Sequence, residues 1–250
     1  MRIVKMIWGW SWAALATTII FLPMTIAALL SSTGNMAFNI SKVWAYTMLI
    51  VTGVHPEIRG QEKIKQGQSY IIISNHQSLF DILALVTRLG IQFRWVIKKE
   101  VLKVPLFGYA LWAAKNIFVD RSDTNRAIGS INEGLKRLPH GVSVMVFAEG
   151  TRSPDGAIRP FKKGGFVMAI DSKIPILPVT INGSRKILAK GDISYSPGCI
   201  EVVVGDPIDT ANYTRDDLEH LVKQTHDAVI ANFNPVYPAS KDTFLPSRRL

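Results

Sequence analysis

The sequence predicts an α/β fold, a mixed and largely parallel sheet flanked by helices, preceded by an N-terminal membrane-embedded helical segment. Three observations predict it. Six short runs rich in β-branched and aromatic residues alternate with stretches of helical periodicity. Polar clusters follow directly on several of those runs, where a sheet protein presents reactive groups to a cleft. No charged side chain occurs from Met6 through Ser41.

The amino-terminal segment comes first. As a helix, Met6 to Leu30 would extend about 37 Å at ~1.5 Å per residue, enough to cross a hydrocarbon layer of ~30 Å. A second apolar stretch, Val43 to Val54, is short for a span. The string Ser31-Ser32-Thr33-Gly34-Asn35 before it reads as a turn. Trp8, Trp10, Trp12, Trp44 and Tyr46 suit a membrane interface, and Arg2 and Lys5 favour a cytoplasmic start. A single span, a helical hairpin and a shallow monotopic pair all fit this pattern. A cleaved signal peptide fits poorly, because the apolar stretch is long and Ser31-Ser32-Thr33 is a weak cleavage site. The expected organisation is an anchor over 1–54, an α/β domain over 55–234 and a basic tail over 235–250.

Tyr70 to Ser74 is the first strand-like run, and Asn75-His76-Gln77-Ser78-Leu79-Phe80-Asp81 follows it. Histidine is the side chain suited to taking a proton near neutral pH, and a carboxylate on its other ring nitrogen fixes the tautomer. Five residues on a regular helix separate two side chains by about 140° at ~3.6 residues per turn, so His76 and Asp81 would not share a helix face. His76 is therefore expected in the turn before a helix over Leu79 to Leu89, with Asp81 in its opening turns. The spacing also argues against a metal, since the helical zinc motif sets its histidines four apart. A polar turn that only caps a helix is the competing reading. Ser78 lacks the Gly-x-Ser-x-Gly elbow of a nucleophile and reads as a capping hydroxyl.

Strand-like runs continue at Phe93 to Ile97 and Ile117 to Val119, and helical periodicity covers Thr124 to Leu138. The run Val142 to Phe147 then delivers Ala148-Glu149-Gly150-Thr151-Arg152-Ser153, with Phe161-Lys162-Lys163-Gly164-Gly165 beyond. Glycine lets backbone amides approach an oxyanion, a hydroxyl adds a donor, and arginine offers a planar fork matched to phosphate. The same stretch contains Pro154-Asp155-Gly156, a turn signal, so a solvated turn competes with an anion site. A helix over Gly164 to Ser172, strands at Ile176 to Ile181 and Ile200 to Val204, and a helix over Arg215 to Phe233 complete the pattern. Pro235-Val236-Tyr237-Pro238 ends that last helix.

Together, the two polar clusters resemble the glycerolipid acyltransferase family, and within it the 1-acyl-sn-glycerol-3-phosphate acyltransferases. Four blocks match in order between about Val54 and Ile208: His76 to Asp81, Lys115 to Arg121, Phe147 to Ser153, and Ile174-Pro175-Ile176-Leu177-Pro178-Val179. The chain departs from the pattern at Lys115, where the family usually has glycine. The resemblance implies that His76 is the general base, oriented by Asp81, for attack of a lysophospholipid hydroxyl on an acyl thioester. It implies acceptor binding by Arg121, Glu149, Gly150, Thr151 and Arg152. Lys115, Lys162, Lys163 and Pro178 are further candidates: Lys115 as added charge, Pro178 as a strand terminator or an acyl contact, and Glu149 also as an ion-pair partner of Arg152. No metal or redox cofactor is implied.

The implied partners are lysophosphatidic acid, an acyl-CoA or acyl-acyl carrier protein donor, and anionic membrane lipids. Thioester donors made in the cytoplasm favour a hairpin or monotopic pair, which keeps the α/β domain on the cytoplasmic face of a bacterial inner membrane. Residues 1–54 carry three basic and no acidic side chains; the remainder has twenty-six basic against nineteen acidic, a surface drawn to anionic headgroups or an acidic carrier. Nucleic acid is excluded by the absence of zinc spacing, an RNA-binding signature or an isolated basic helix. A single Cys199 excludes an internal disulfide. Two rivals remain: acylation of another lysolipid, such as a lyso-ornithine lipid, and a non-catalytic lipid-binding adaptor.

Overall fold

Three consecutive isoleucines organise the interior, because successive side chains of a strand point to opposite faces. Ile72 joins one buried cluster with Leu83, Leu85, Leu177 and Ile200. Ile71 and Ile73 join another with Val144, Phe166, Leu221 and Val229. These clusters fill the two sides of one sheet in the computed structural model, which describes residues 2–104, 107–120 and 124–237.

The sheet has seven strands: β1 (Val54–Arg59), β2 (Ile71–Ser74), β3 (Phe93–Lys98), β4 (Ile117–Val119), β5 (Ser143–Phe147), β6 (Ile176–Asn182) and β7 (Gly198–Val204). Their spatial order is β1-β7-β6-β2-β5-β3-β4. Strands β6, β2, β5, β3 and β4 run parallel, β7 is antiparallel to β6, and β1 is parallel to β7. Every residue of β2 and β6 is buried, as expected of parallel strands covered on both faces.

All six strand-like runs of the sequence are strands here, with boundaries moved by one or two residues. Strand β1 was not foreseen, because Pro56 demotes its run. It is tolerated because β1 is an edge strand paired only with β7. Pro178 lies in the middle of β6 and does not end it; it sits just past the end of the antiparallel pairing with β7, which runs from Val179 to Asn182, so its missing N–H falls at the margin of that ladder. Its carbonyl accepts the Gly205 N–H at 2.9 Å.

Eight helices complete the described residues: α1 (Arg2–Leu30), α2 (Asn35–Thr52), α3 (Phe80–Arg88), α4 (Phe107–Ala113), α5 (Thr124–Lys136), α6 (Gly164–Ser172), α7 (Ser184–Ile187) and α8 (Leu218–Ala231). The short α4 and α7 have too few residues for a periodic signal. The expected turn joins α1 to α2, with Gly34 at φ +73°. Among the described residues, α1 alone is long and apolar enough to cross a membrane. Trp12, Ala13 and Ala16 pack on the core, while Leu15, Ile19, Leu22 and Ile26 are exposed on the outer side. Helix α2 buries Phe38, Ala45, Met48 and Leu49 in the same core and lies against α3.

Candidate active site

Parallel strands end at one edge of a sheet, and β2 and β5 are neighbours there. The turn after β2 therefore meets the loop after β5, which brings two sequence clusters seventy residues apart into contact. Asn75 begins the turn. Its side chain donates to the Ile181 carbonyl at 2.9 Å and accepts the Ile181 N–H at 2.8 Å, stitching the turn to β6.

His76 follows, and its Nδ1 is 2.8 Å from Asp81 Oδ2. Asp81 is fully buried in the first turn of α3, and the same Oδ2 accepts the backbone N–H groups of Gln77 and Ser78 at 2.7 and 2.8 Å. Oδ2 already accepts two backbone N–H groups, so its contact with the ring suits the tautomer with hydrogen on Nδ1, in which Nε2 of the neutral ring keeps a lone pair. The imidazole lies flat on Phe147, with ring centroids 3.8 Å apart and an interplanar angle of 8°, and Phe147 in turn stacks on Trp95. The ring is thus fixed in tautomer by Asp81 and in plane by Phe147. Ser78 Oγ donates to the Leu188 carbonyl and accepts the Phe80 N–H, the capping role expected.

The loop after β5 grips the His76 backbone at two points. Glu149 Oε1 accepts the His76 N–H at 2.8 Å, and the Ser153 N–H donates to the His76 carbonyl at 2.8 Å. Glu149 Oε2 accepts the Arg159 N–H at 3.0 Å, so this buried carboxylate binds two backbone amides and, among the described residues, no arginine side chain. Burial pushes its carboxyl above the ordinary range, with those two donors opposing the shift.

Between Glu149 and Ser153 the chain turns at Gly150, φ +74°, and Gly150, Thr151 and Arg152 line a cavity of about 530 Å³. His76 and Lys98 line the same cavity. Lys162 lies across Gly150, where an added Cβ would meet its Nζ at 3.0 Å. Lys190 Nζ donates to Thr151 Oγ1 at 3.2 Å. Arg152 and Lys98 thus line the cavity, and Lys162 and Lys190 stand beside its Gly150 and Thr151. Most of the remaining lining is apolar, including Ile20, Phe21 and Met24 of α1, Trp44 of α2, Val86 and Leu111.

The sequence candidates separate accordingly. His76, Gly150, Thr151 and Arg152 share the cavity, Asp81 stands behind His76, and Lys162 lies across Gly150. Glu149 faces the backbone of His76 instead of the cavity. Arg121 lies outside the described residues. Pro178 is sealed inside β6 and is not a lining residue. Lys163 is paired with Glu219. Lys115 precedes β4, at the opposite end of that strand from the site, and its ammonium sits 5.9 Å from the Trp112 ring centroid. Its φ is +63°, which explains the glycine usual at this position: the turn into β4 needs a left-handed residue, and here a lysine supplies it. Sequence reasoning missed Lys98, Lys190 and the wall built by α1 and α2, since contacts between distant elements leave no local pattern.

The chain belongs to the acyltransferase family, whose model matches residues 55–182. It is 32% identical over 185 residues to the human 1-acyl-sn-glycerol-3-phosphate acyltransferase alpha, an alignment covering 74% of this chain but 65% of the human protein. The enzyme of the same name from Limnanthes alba is 36% identical over 200 residues, covering 80% of this chain and 67% of that protein. The yeast counterpart from Saccharomyces cerevisiae is 30% identical over 215 residues, with 84% and 71% covered. The crystal structure of the 1-acyl-sn-glycerophosphate acyltransferase PlsC from Thermotoga maritima superposes with a TM-score of 0.75 at 24% identity, over 91% of this chain and 92% of that one.

Proposed function

We propose that this protein transfers an acyl group from a thioester, carried by coenzyme A or by an acyl carrier protein, to the free hydroxyl of lysophosphatidic acid. The observation that carries the reading is His76, backed by Asp81, in a cavity that Arg152 and Lys98 line and whose remaining lining is mostly apolar. A phosphate fits beside Arg152, Lys98, Lys162 and Lys190, and an acyl chain fits the apolar lining. Arg121 belongs to the same proposal through its match to the family motif.

In the reaction, Nε2 of His76 takes the hydroxyl proton as the oxygen attacks the thioester carbonyl. Asp81 stabilises the imidazolium that forms. The new C–O bond is made, the C–S bond breaks, and the imidazolium returns its proton to the departing thiolate. A thioester is already activated, so alignment, a base and charge stabilisation suffice without a covalent enzyme intermediate.

The membrane reading belongs here as well, with 1–54 as the anchor, 55–234 as the catalytic domain and 235–250 as a tail. Near its start α1 is fastened by the Trp10 indole N–H, which donates to the Ile193 carbonyl at 2.7 Å, and by Gly9, which lies against the Tyr195 ring. Near its end Ala28 packs on Ala113 and Ala114. The helix therefore lies along the catalytic domain for about 27 Å at ~1.5 Å per residue, with its exposed apolar stripe turned outward. That supports shallow monotopic insertion from the cytoplasmic face, with Tyr109, Trp112 and neighbouring lysines at the headgroup level.

A matrix of lysolipid acceptors against acyl-CoA and acyl-carrier-protein donors, run with wild type and His76→Ala in vesicles, tests the reading. The expected result is transfer preferring the phosphomonoester acceptor, lost by ~10² to 10⁴ in the variant while vesicle binding persists. Vesicle binding without any transfer by the wild type would leave the adaptor reading; transfer without preference for the phosphomonoester would point to another lysolipid.

A further inference from the structure

Arg94, at the second position of β3, is 1% exposed and is the largest fully buried side chain among the described residues. It has no carboxylate partner there. Its two terminal nitrogens are held by neutral oxygens, while Nε is buried without a hydrogen-bond partner: Nη2 donates to the Thr33 carbonyl at 2.7 Å and to Asn35 Oδ1 at 2.6 Å, and Nη1 donates to the Phe93 carbonyl at 2.9 Å and to Gln92 Oε1 at 3.2 Å. Gln92 extends the network, its Nε2 donating to Asn39 Oδ1 at 2.9 Å. The Phe38 ring centroid is 5.7 Å from the guanidinium carbon. Burial lowers the guanidinium to about 10, so it remains charged at neutral pH.

Thr33, Asn35, Phe38 and Asn39 are the turn between α1 and α2 and the first turn of α2. The buried cation is thus spent on the tip of the apolar hairpin. The same tip is seated sterically, since a Cβ at Gly34 would stand 2.6 Å from the Ala114 carbonyl oxygen. We propose that Arg94 is a positioning residue for the acyl-transfer reaction: it latches the α1–α2 hairpin over the cavity and so sets the shape of the acyl site.

Apolar attraction is non-directional, and lipid tails offer α1 and α2 the same apolar contacts that the domain does. The bonds from Trp10 to the Ile193 carbonyl and from Tyr46 to the Thr87 carbonyl hold the hairpin away from its tip, so packing alone would leave the tip free to slide or lift. Charge-assisted hydrogen bonds in a water-excluded site are directional and have no substitute in hydrocarbon. Because Ile20, Phe21 and Met24 of α1 and Trp44 of α2 wall the cavity, a moved hairpin reshapes it. The catalytic pair does not depend on the hairpin, since His76 and Asp81 are held by the turn after β2 and the loop after β5. Arg94 therefore acts on acyl selection, leaving proton transfer intact. Lysine is a poor substitute, because one ammonium lacks the planar fork that spans Thr33, Asn35 and Gln92.

This inference rests on the acyl-transfer reading above, and two measurements separate their failures. The first compares kcat and KM of wild type, Arg94→Lys and Arg94→Met over a series of thioester chain lengths in vesicles. Arg94→Met should flatten the chain-length preference by about tenfold, or ~1.4 kcal/mol of lost discrimination, with kcat on the best donor and its pH profile nearly unchanged. Arg94→Lys should fall between. The second is hydrogen exchange of vesicle-bound protein, where Arg94→Met should raise exchange at residues 31–39 and leave 76–81 protected. That readout stands even if the wild type transfers nothing. Should Arg94→Met fail to fold, Asn35→Ala and Asn39→Ala, which each remove one acceptor, carry the same comparison. An unchanged chain-length profile with unchanged exchange, or an equal loss of kcat for every donor, would overturn the proposal.

Discussion

Replacing Asp81 by asparagine isolates the charge behind the proposed base, His76. Two backbone amides, those of Gln77 and Ser78, point at Oδ2, so the asparagine carbonyl must take that place. There it also accepts Nδ1–H of His76, and the tautomer survives. The amide NH₂ falls where Oδ1 stood, a position with no hydrogen-bond partner, which costs about 1–3 kcal/mol of stability. Catalysis loses the attraction between carboxylate and imidazolium. With charge centres about 4 Å apart and an effective dielectric constant near 20, that attraction is about 4 kcal/mol, or about 10³ in rate if it arises only in the transition state. Two amides already share the same oxygen, so a loss between about 10² and 10³ in kcat is expected. The assay is kcat at saturation in both substrates, beside a denaturant melt of the same preparation. A folded Asp81→Asn protein with kcat within about tenfold of wild type would refute the role given to the carboxylate.

Two further substitutions test neighbouring assignments. Lys115→Gly relieves a left-handed backbone at φ +63° and gives up one exposed contact with Trp112, so it should leave stability unchanged or raise it by up to about 1 kcal/mol, with the acceptor KM unaltered. A clear rise in that KM would return Lys115 to the phosphate site. Glu149→Gln removes a carboxyl that burial holds above its ordinary range. Such a group contributes fully below the unfolded carboxylate range and less as pH rises through its folded value, so the wild type's stability advantage over the variant should shrink from acid to neutral pH. Denaturant melts across that range check the sign, and a gap that widens would mean the ionised form is favoured.

The fold class was legible because β-branched runs and helical periodicity are local signals, and the parallel central strands declare themselves by continuous burial. Strand β1 escaped because Pro56 is a breaker everywhere except at an edge, and being at an edge is a property of the whole sheet. Lys115 shows the converse case. Its charge suggested a ligand, whereas its dihedral angle and its place before β4 make it a backbone device at the far end of the strand. The hairpin was legible as apolar but not as a cavity wall, since its two faces carry similar side chains and only Arg94, far along the chain, marks which way the tip docks.

The cluster Glu149 to Ser153 resolves into two jobs that its sequence cannot distinguish. Glu149 and Ser153 stand on either side of the His76 peptide, one accepting its N–H and the other donating to its carbonyl. Gly150, Thr151 and Arg152, between these two feet, project into the cavity. The proposed phosphate site and the proposed base are therefore placed by one loop, so a displacement of either moves the other. This coupling is what a transfer between two bound substrates requires, because the hydroxyl must reach Nε2 and the thioester carbon in a single alignment, and a small misplacement removes most of the gain from holding the reactants together. If His76 is the base, as proposed, Glu149 belongs to the catalytic geometry through the His76 backbone without touching substrate.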